Sequence, residues 1–299
     1  MDNLCHSLAG GVLGKAGLAA RTPLGMTTLI VANNFPDIDV AVFATDTLAM
    51  SFRRGWTHGV LAQATLPIAL TAIIIAADRL FRGNAAERVK PRQILLLSYI
   101  GVLCHVFLDF VNSYGVRLLM PFSETWFYGD ALYVVDPIMY LTLGLGWWLA
   151  SRRRHVRPAR IAITVAAVYI AVMLVSNLAA RREVLDGLTR AGRPEDTRFM
   201  VTPVFGNPIR REVIIDLGNR YEKGFLWFDP LPHFRPAGYG VNRGFDLPEA
   251  SQALQLPRAR AFLRWSRFPF LQVDHNGVWL NDYRYSSAGP YGWSAVKLQ

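Results

Sequence analysis

Four apolar stretches of membrane-spanning length leave this chain few ways to fold. Gln93 to Asn112 and Ala159 to Ala180 are the plainest, each close to the ~20 residues that cross ~30 Å of hydrocarbon as a helix. Gly59 to Ala77 is slightly interrupted, as is Leu132 to Ala150, which carries Asp136 and Pro137 near its start. A chain that is 52% hydrophobic is too apolar for an ordinary soluble enzyme, yet it holds 32 Lys and Arg. The composition predicts a membrane protein with a soluble part.

The formal net charge of +10 does not read as a nucleic-acid surface, because the basic residues concentrate in two short connections. One holds Arg79, Arg82, Arg88, Lys90 and Arg92, the other Arg152, Arg153, Arg154, Arg157 and Arg160. This is the positive-inside pattern of cytoplasmic loops. With both loops cytoplasmic, His58, His105 and Asp109 share the outer face, and everything after Arg181 is predicted to lie outside. Asp130 and Asp136 are on the right side to join them. Cys5 and Cys104 supply no disulfide framework. No basic region precedes the first apolar stretch, so a cleaved signal is not expected and His6 is expected to be kept.

Leu4 to Phe35 contains Lys15, Arg21 and Pro23 near its middle. A hairpin of two short helices turning there removes the charges and the proline from helix interiors and returns Asp37 to the side of His6. After Ala180 the chain changes character, with proline, glycine and aromatics replacing the apolar runs. Strands are expected in Arg198 to Phe205, Glu212 to Leu217 and Phe225 to Phe228. A hairpin is expected from Phe270 to Tyr285 around His275-Asn276-Gly277, and a helix over Leu247 to Arg267. The expected fold is therefore mainly α. A polytopic helical membrane domain, residues 1–181, holds the N-terminal hairpin and about four spanning helices. A small soluble α+β domain, residues 182–299, follows on the outer face.

His6, Asp37, Asp39, His58, His105 and Asp109 all fall at the ends of apolar segments, where ionisable groups are costly unless paired, hydrated or metal-bound. His105 and Asp109 are one helical turn apart on one face, as two ligands of one ion must be. His58 opens the preceding helix, and Pro36-Asp37-Ile38-Asp39 supplies two carboxylates in an extended turn. Such a set of imidazoles and carboxylates suits Zn²⁺, Mn²⁺ or Fe²⁺, with zinc the first expectation. One or two ions are expected. Arg54, beside the cluster, is the candidate to hold a phosphate, with Arg53 behind it, and Asp39 is the candidate orienting group or general base.

The motifs His6-Ser7-Leu8, Pro36-Asp37-Ile38-Asp39, Arg54-Gly55-Trp56-Thr57-His58 and His105-xxx-Asp109 resemble the signature of the YdjM-like (YbcI-like) membrane-bound metal-dependent hydrolases. The stretches Arg267-Phe268-Pro269 and Asp282-Tyr283-Arg284-Tyr285 are similar to the end of longer members. The resemblance implies a multi-pass inner-membrane protein. The ligand order is also distantly similar to that of zinc-dependent phospholipase C and P1-type nucleases. That likeness implies that Asp37, His58, His105 and Asp109 hold one ion, with Asp109 bridging to a second held by His6. Here no second His-xxx-carboxylate pair follows, so two ions are the most this set supports. The expected function is hydrolysis of a phosphoester of a lipid or lipid-linked substrate, with the bilayer as partner and no nucleic acid. The alternative is a non-catalytic metal-binding membrane protein, a transporter or assembly factor. A transporter should show polar residues in series through the bilayer.

Overall fold

The computed structural model describes residues 1–45, 49–83, 86–288 and 292–298. Residue contacts divide the chain into two compact units, Met1–Ala41 with Arg53–Val175, and Val42–Phe52 with Ser176–Gln299. The second division falls inside the last long helix.

In the first unit, helix α1 (Asn3–Leu13) begins at Asp2, whose side chain accepts from Cys5 N at 2.9 Å and so satisfies one of the free N–H groups of the first turn. Turns of π and 3-10 type carry the chain through Lys15 and Arg21 to α2 (Gly25–Ala32). The turn between them lies against both basic connections. Thr22 Oγ1 accepts from Lys90 N at 2.8 Å, and Ala16 O accepts from Arg160 Nε at 3.1 Å. Leu4 to Phe35 thus forms two short helices whose far ends, near His6 and Asn33, meet away from the basic connections.

A 3-10 segment (Phe35–Ala44) and the short helix α3 (Ala49–Phe52) lead to α4 (Val60–Phe81), α5 (Pro91–Phe110), α6 (Pro137–Arg153) and α7 (Arg157–Arg190). Among the described residues, α4, α5 and α7 are long and apolar enough to cross a membrane. At 17 residues, α6 extends about 26 Å, short of the ~30 Å hydrocarbon thickness. Asp136 caps it, accepting from Ile138 N and Met139 N at 3.0 Å each.

Two glycines let the helices of the first unit approach closely. A Cβ on Gly10 would stand 2.7 Å from Leu29 O, and one on Gly101 would stand 2.3 Å from the Ala32 methyl. The absent side chains draw α1 and α5 onto α2. Gly101 precedes His105 by one turn, so the same approach carries His105 to the end of α2.

In the second unit the chain from Ser176 onward forms a four-stranded antiparallel sheet in the order β1 (Phe199–Val204), β2 (Asn207–Asp216), β3 (Arg220–Asp229), β4 (Leu231–Asn242). The last turns of α7 lie on it. Ala180, Val184 and Leu188, spaced along one helix face, are buried with Val201, Val213, Ile215 and Leu226. That burial is why α7 continues to Arg190 instead of stopping near Ala180.

The expected helix over Leu247 to Arg267 is two, α8 (Ala250–Ala253) and α9 (Pro257–Trp265), divided at Pro257, which is tolerated only in a first turn. Strands β5 (Pro269–Asp274), β6 (Gly277–Asp282) and β7 (Ala295–Lys297) make a second sheet. Asp274 pairs with Gly277, so His275 and Asn276 form the hairpin turn.

The Asp282-Tyr283-Arg284-Tyr285 stretch is a buried clasp. Asp282 accepts from Ser266 Oγ, from the backbone N–H of Arg267 and Arg284, and bidentately from the Arg284 guanidinium at 2.9 Å each. Arg284 also lies over the Trp265 and Tyr285 rings. Burial alone would raise the Asp282 pKa, but Arg284 and the hydrogen bonds hold the carboxyl below its ordinary value. A depressed folded-state pKa contributes stability above the unfolded carboxylate pKa of ~3.9, lost as pH falls through the folded value. Asp282→Asn leaves Arg284 buried without its counter-charge. It is expected to cost about 3 to 5 kcal/mol at neutral pH. Hydrogen exchange of β5 and β6 in the full chain should show this loss, and the difference from wild type should shrink below pH ~4.

Candidate metal centre

Asp37, His58, His105 and Asp109 are all buried, and each offers a ligand atom within 4.8 Å of the others. His105 and Asp109 come from the last turns of α5, His58 from the turn before α4, and Asp37 from the 3-10 segment after α2. His58 Nε2 stands 3.0 Å from His105 Nε2 and 3.2 Å from Asp109 Oδ2, and Asp37 Oδ1 lies 4.0 Å from both imidazoles. Short elements at the ends of apolar helices thus bring two nitrogens and two carboxylates to one point.

The hydrogen-bond network assigns the tautomers. His105 Nδ1 is 2.7 Å from Asn33 O, an acceptor only, so Nδ1 carries the proton and Nε2 its lone pair. Thr57 Oγ1 donates to Asp39 Oδ2 at 3.1 Å and must therefore accept from His58 Nδ1 at 2.9 Å. His58 Nε2 is also left with its lone pair. Two bare lone pairs then face one another in a buried pocket with two carboxylates. Such an arrangement is unfavourable by itself and is what a cation resolves. Two nitrogens bound tetrahedrally at ~2.0–2.1 Å would be roughly 3.3 Å apart, close to the spacing seen. The residues therefore fit a divalent ion, and the donor set suits zinc, manganese or iron.

His6 lies beside this group. Its ring stacks on His105 with centroids 3.9 Å apart, and its Nε2 is 3.2 Å from Asp109 Oδ1. Its Nδ1, buried, has no hydrogen-bond partner among the described residues. The Met1 amino group also bonds Asp109 Oδ1.

Asp39 sits behind this group. Besides Thr57 it accepts from Arg54 N at 2.8 Å and Arg53 Nε at 3.4 Å, and it is 3.7 Å from His58 Nδ1. Arg54 adopts a left-handed backbone (φ 54°). Its guanidinium pairs with Asp109 Oδ2 at 2.9 Å and donates to Asn112 Oδ1 at 3.1 Å and Met1 O at 3.0 Å, with the Tyr114 ring beneath it. Arg53 is the more open cation. It is half-buried, with Nη2 3.2 Å from Asp37 Oδ1. Asp136 is occupied as the α6 cap and by Tyr169 Oη at 3.0 Å.

Asn33 has no signature in the sequence, because its contribution is a backbone carbonyl. The one available signal was adjacency, since Asn33 and Asn34 stand just before Pro36-Asp37.

Asp39→Asn removes a charge from the group that fixes Thr57 and His58 while leaving the four ligand side chains in place. It is expected to weaken metal affinity about 10- to 100-fold without abolishing binding. Competition against a chelator, with the melting temperature of the metal-free protein as a control for folding, measures it.

A comparison with protein families matches residues 1–181 to the model described as YdjM inner membrane protein. The uncharacterized protein YfhP of Bacillus subtilis (strain 168) is 24% identical over 196 residues, or 61% of this chain and 57% of that protein. The match thus spans little more than half of the relative's length. No solved structure matches the chain. With more than half of its length, including every residue of the buried cluster, under the family model, the chain belongs to the YdjM inner membrane protein family.

Proposed function

We propose that this protein is a metal-dependent hydrolase of the inner membrane, acting on a phosphoester of a lipid or lipid-linked substrate. The observation that carries the reading is the facing pair of histidine lone pairs, closed by Asp37 and Asp109, at the ends of membrane-length helices. A divalent ion held there, zinc first by its donor set, supplies a Lewis acid and a water of lowered pKa. His6, with Asp109, would help to hold a second ion in this reading. In the reaction, water adds to phosphorus, the P–O ester bond breaks and the alcohol leaves with a proton.

The chain's own groups have separable roles in this reading. Asp39, through Thr57, keeps His58 in the ligating tautomer. Arg54, paired with Asp109, and the more exposed Arg53 at the rim are the two cations that would meet a phosphate. An apolar cavity of about 290 Å³ supports a lipidic substrate. Its lining includes Ala9, Cys104, Leu108, Met139 and Ile170, and Cys104 and Leu108 each adjoin a proposed ligand in sequence. The two basic connections favour a multi-pass topology with residues 182–299 on the periplasmic side.

Protein in lipid nanodiscs, loaded with zinc or manganese, is expected to release phosphate or a phosphoalcohol from a panel of phospholipids and prenyl phosphates. Phosphate assay and mass spectrometry would follow the products. Activity should vanish with chelator and in His105→Ala, and Arg53→Ala should raise KM more than it lowers kcat. Metal-loaded protein inert on every phosphoester but active on lipid amides or carboxylic esters would move the reading to another bond.

A further inference from the structure

The four-stranded sheet runs alongside α7 in a definite direction. The Arg181 guanidinium lies over the Phe199 ring at 5.0 Å, and Asn177 Nδ2 donates to Val201 O at 2.9 Å. Two residues of strand, about 6.6 Å, thus match four residues of helix, about 6.0 Å. β1 is therefore nearly antiparallel to this part of α7. Its far end points toward the end of α7 that enters the apolar stretch. Arg211 on β2 bonds Ser176 Oγ, at the same level as Asn177 and already within the apolar stretch Ala159 to Ala180.

The sheet does not stop there. From Arg211 to Asn207 is about 13 Å of strand, beyond which lies the Phe205-Gly206 turn. Val204 pairs with Asn207, so Phe205 and Gly206, the latter at φ 67°, form this turn. The β3–β4 turn closes at the same end, where Asp229 pairs with Leu231. This end carries Phe205, Ile209 and Leu231 at 57%, 59% and 68% exposure. Ile209 is on the face that α7 covers further up, at Arg211, Val213 and Ile215. Trp227 and Arg210, stacked at 4.9 Å, flank the tip.

We propose that the β1–β2 and β3–β4 turns of the second unit insert among the acyl chains of the bilayer that α7 crosses, with Phe205, Ile209 and Leu231 as anchors. An apolar cluster of this kind is unfavourable in water and favourable among acyl chains, and Trp and Arg beside it suit the headgroup layer. The sheet is then a membrane-seated element, held by its own turns as well as by α7. This inference does not depend on the metal chemistry.

Spin labels at Phe205→Cys, Leu231→Cys and His275→Cys test it. They would be placed in the full chain with Cys5 and Cys104 replaced by Ala, and reconstituted in lipid nanodiscs. Positions 205 and 231 are expected to be several-fold more accessible to oxygen than to a water-soluble nickel chelate, with the reverse at exposed 275. Labels at 205 and 231 that behave like 275 would overturn the proposal. If the cysteine-free parent fails to fold, a benzophenone amino acid at 205 or 231 in the native chain is expected to form phospholipid adducts absent at 275. Equal adduct yields at all three positions, or none at 205 and 231, would also overturn it.

Discussion

The arrangement around the buried cluster depends on two hydrogen bonds made behind the histidines. Asn33 O holds the His105 Nδ1 proton, and Thr57, committed to Asp39, holds that of His58. Each bond is ordinary in strength, yet together they oblige both Nε2 lone pairs to face the same buried point. Buried acceptors without donors are costly, and more so at the end of a hydrocarbon-length helix bundle. The cluster therefore reads as preorganised for a cation rather than as a self-satisfied polar core.

The rest of the first unit serves that preorganisation. Gly10 and Gly101 let α1 and α5 close on α2, which brings His6 over His105 and His105 to Asn33. The hairpin turn is tied to the basic connections by Thr22 and Ala16, so its open end is left to supply His6 and, through the 3-10 segment, Asp37 and Asp39. Arg54 joins several of these pieces at once, bonding Asp109 and Asn112 through its side chain and Asp39 through its backbone.

Much of this was legible in the sequence because membrane burial writes itself in long apolar runs, and the His and Asp residues at their ends stand out against them. The i, i+4 spacing of His105 and Asp109 needs only helical geometry. What was not legible depends on backbone atoms or on third-party contacts. Asn33 acts through its carbonyl, and Arg54 is surrounded by groups distant in sequence. The edge strand β4, with Pro232, Pro236, Gly238 and Gly240, carries the composition of a loop. It survives as a strand because an edge leaves one side free of ladder bonds. The clasp at Asp282 and Arg284 likewise looked like a family motif of unstated role and is a structural one, built on Ser266 and Trp265.

The central claim is that the facing histidines and their two carboxylates hold a metal. Elemental analysis of the detergent-purified full chain, beside His105→Ala and Asp109→Ala, tests it most directly. A stoichiometric transition metal is expected in the wild type, with its loss in both variants. Wild-type protein that is folded, metal-free and unable to take up added zinc, manganese or iron would contradict it.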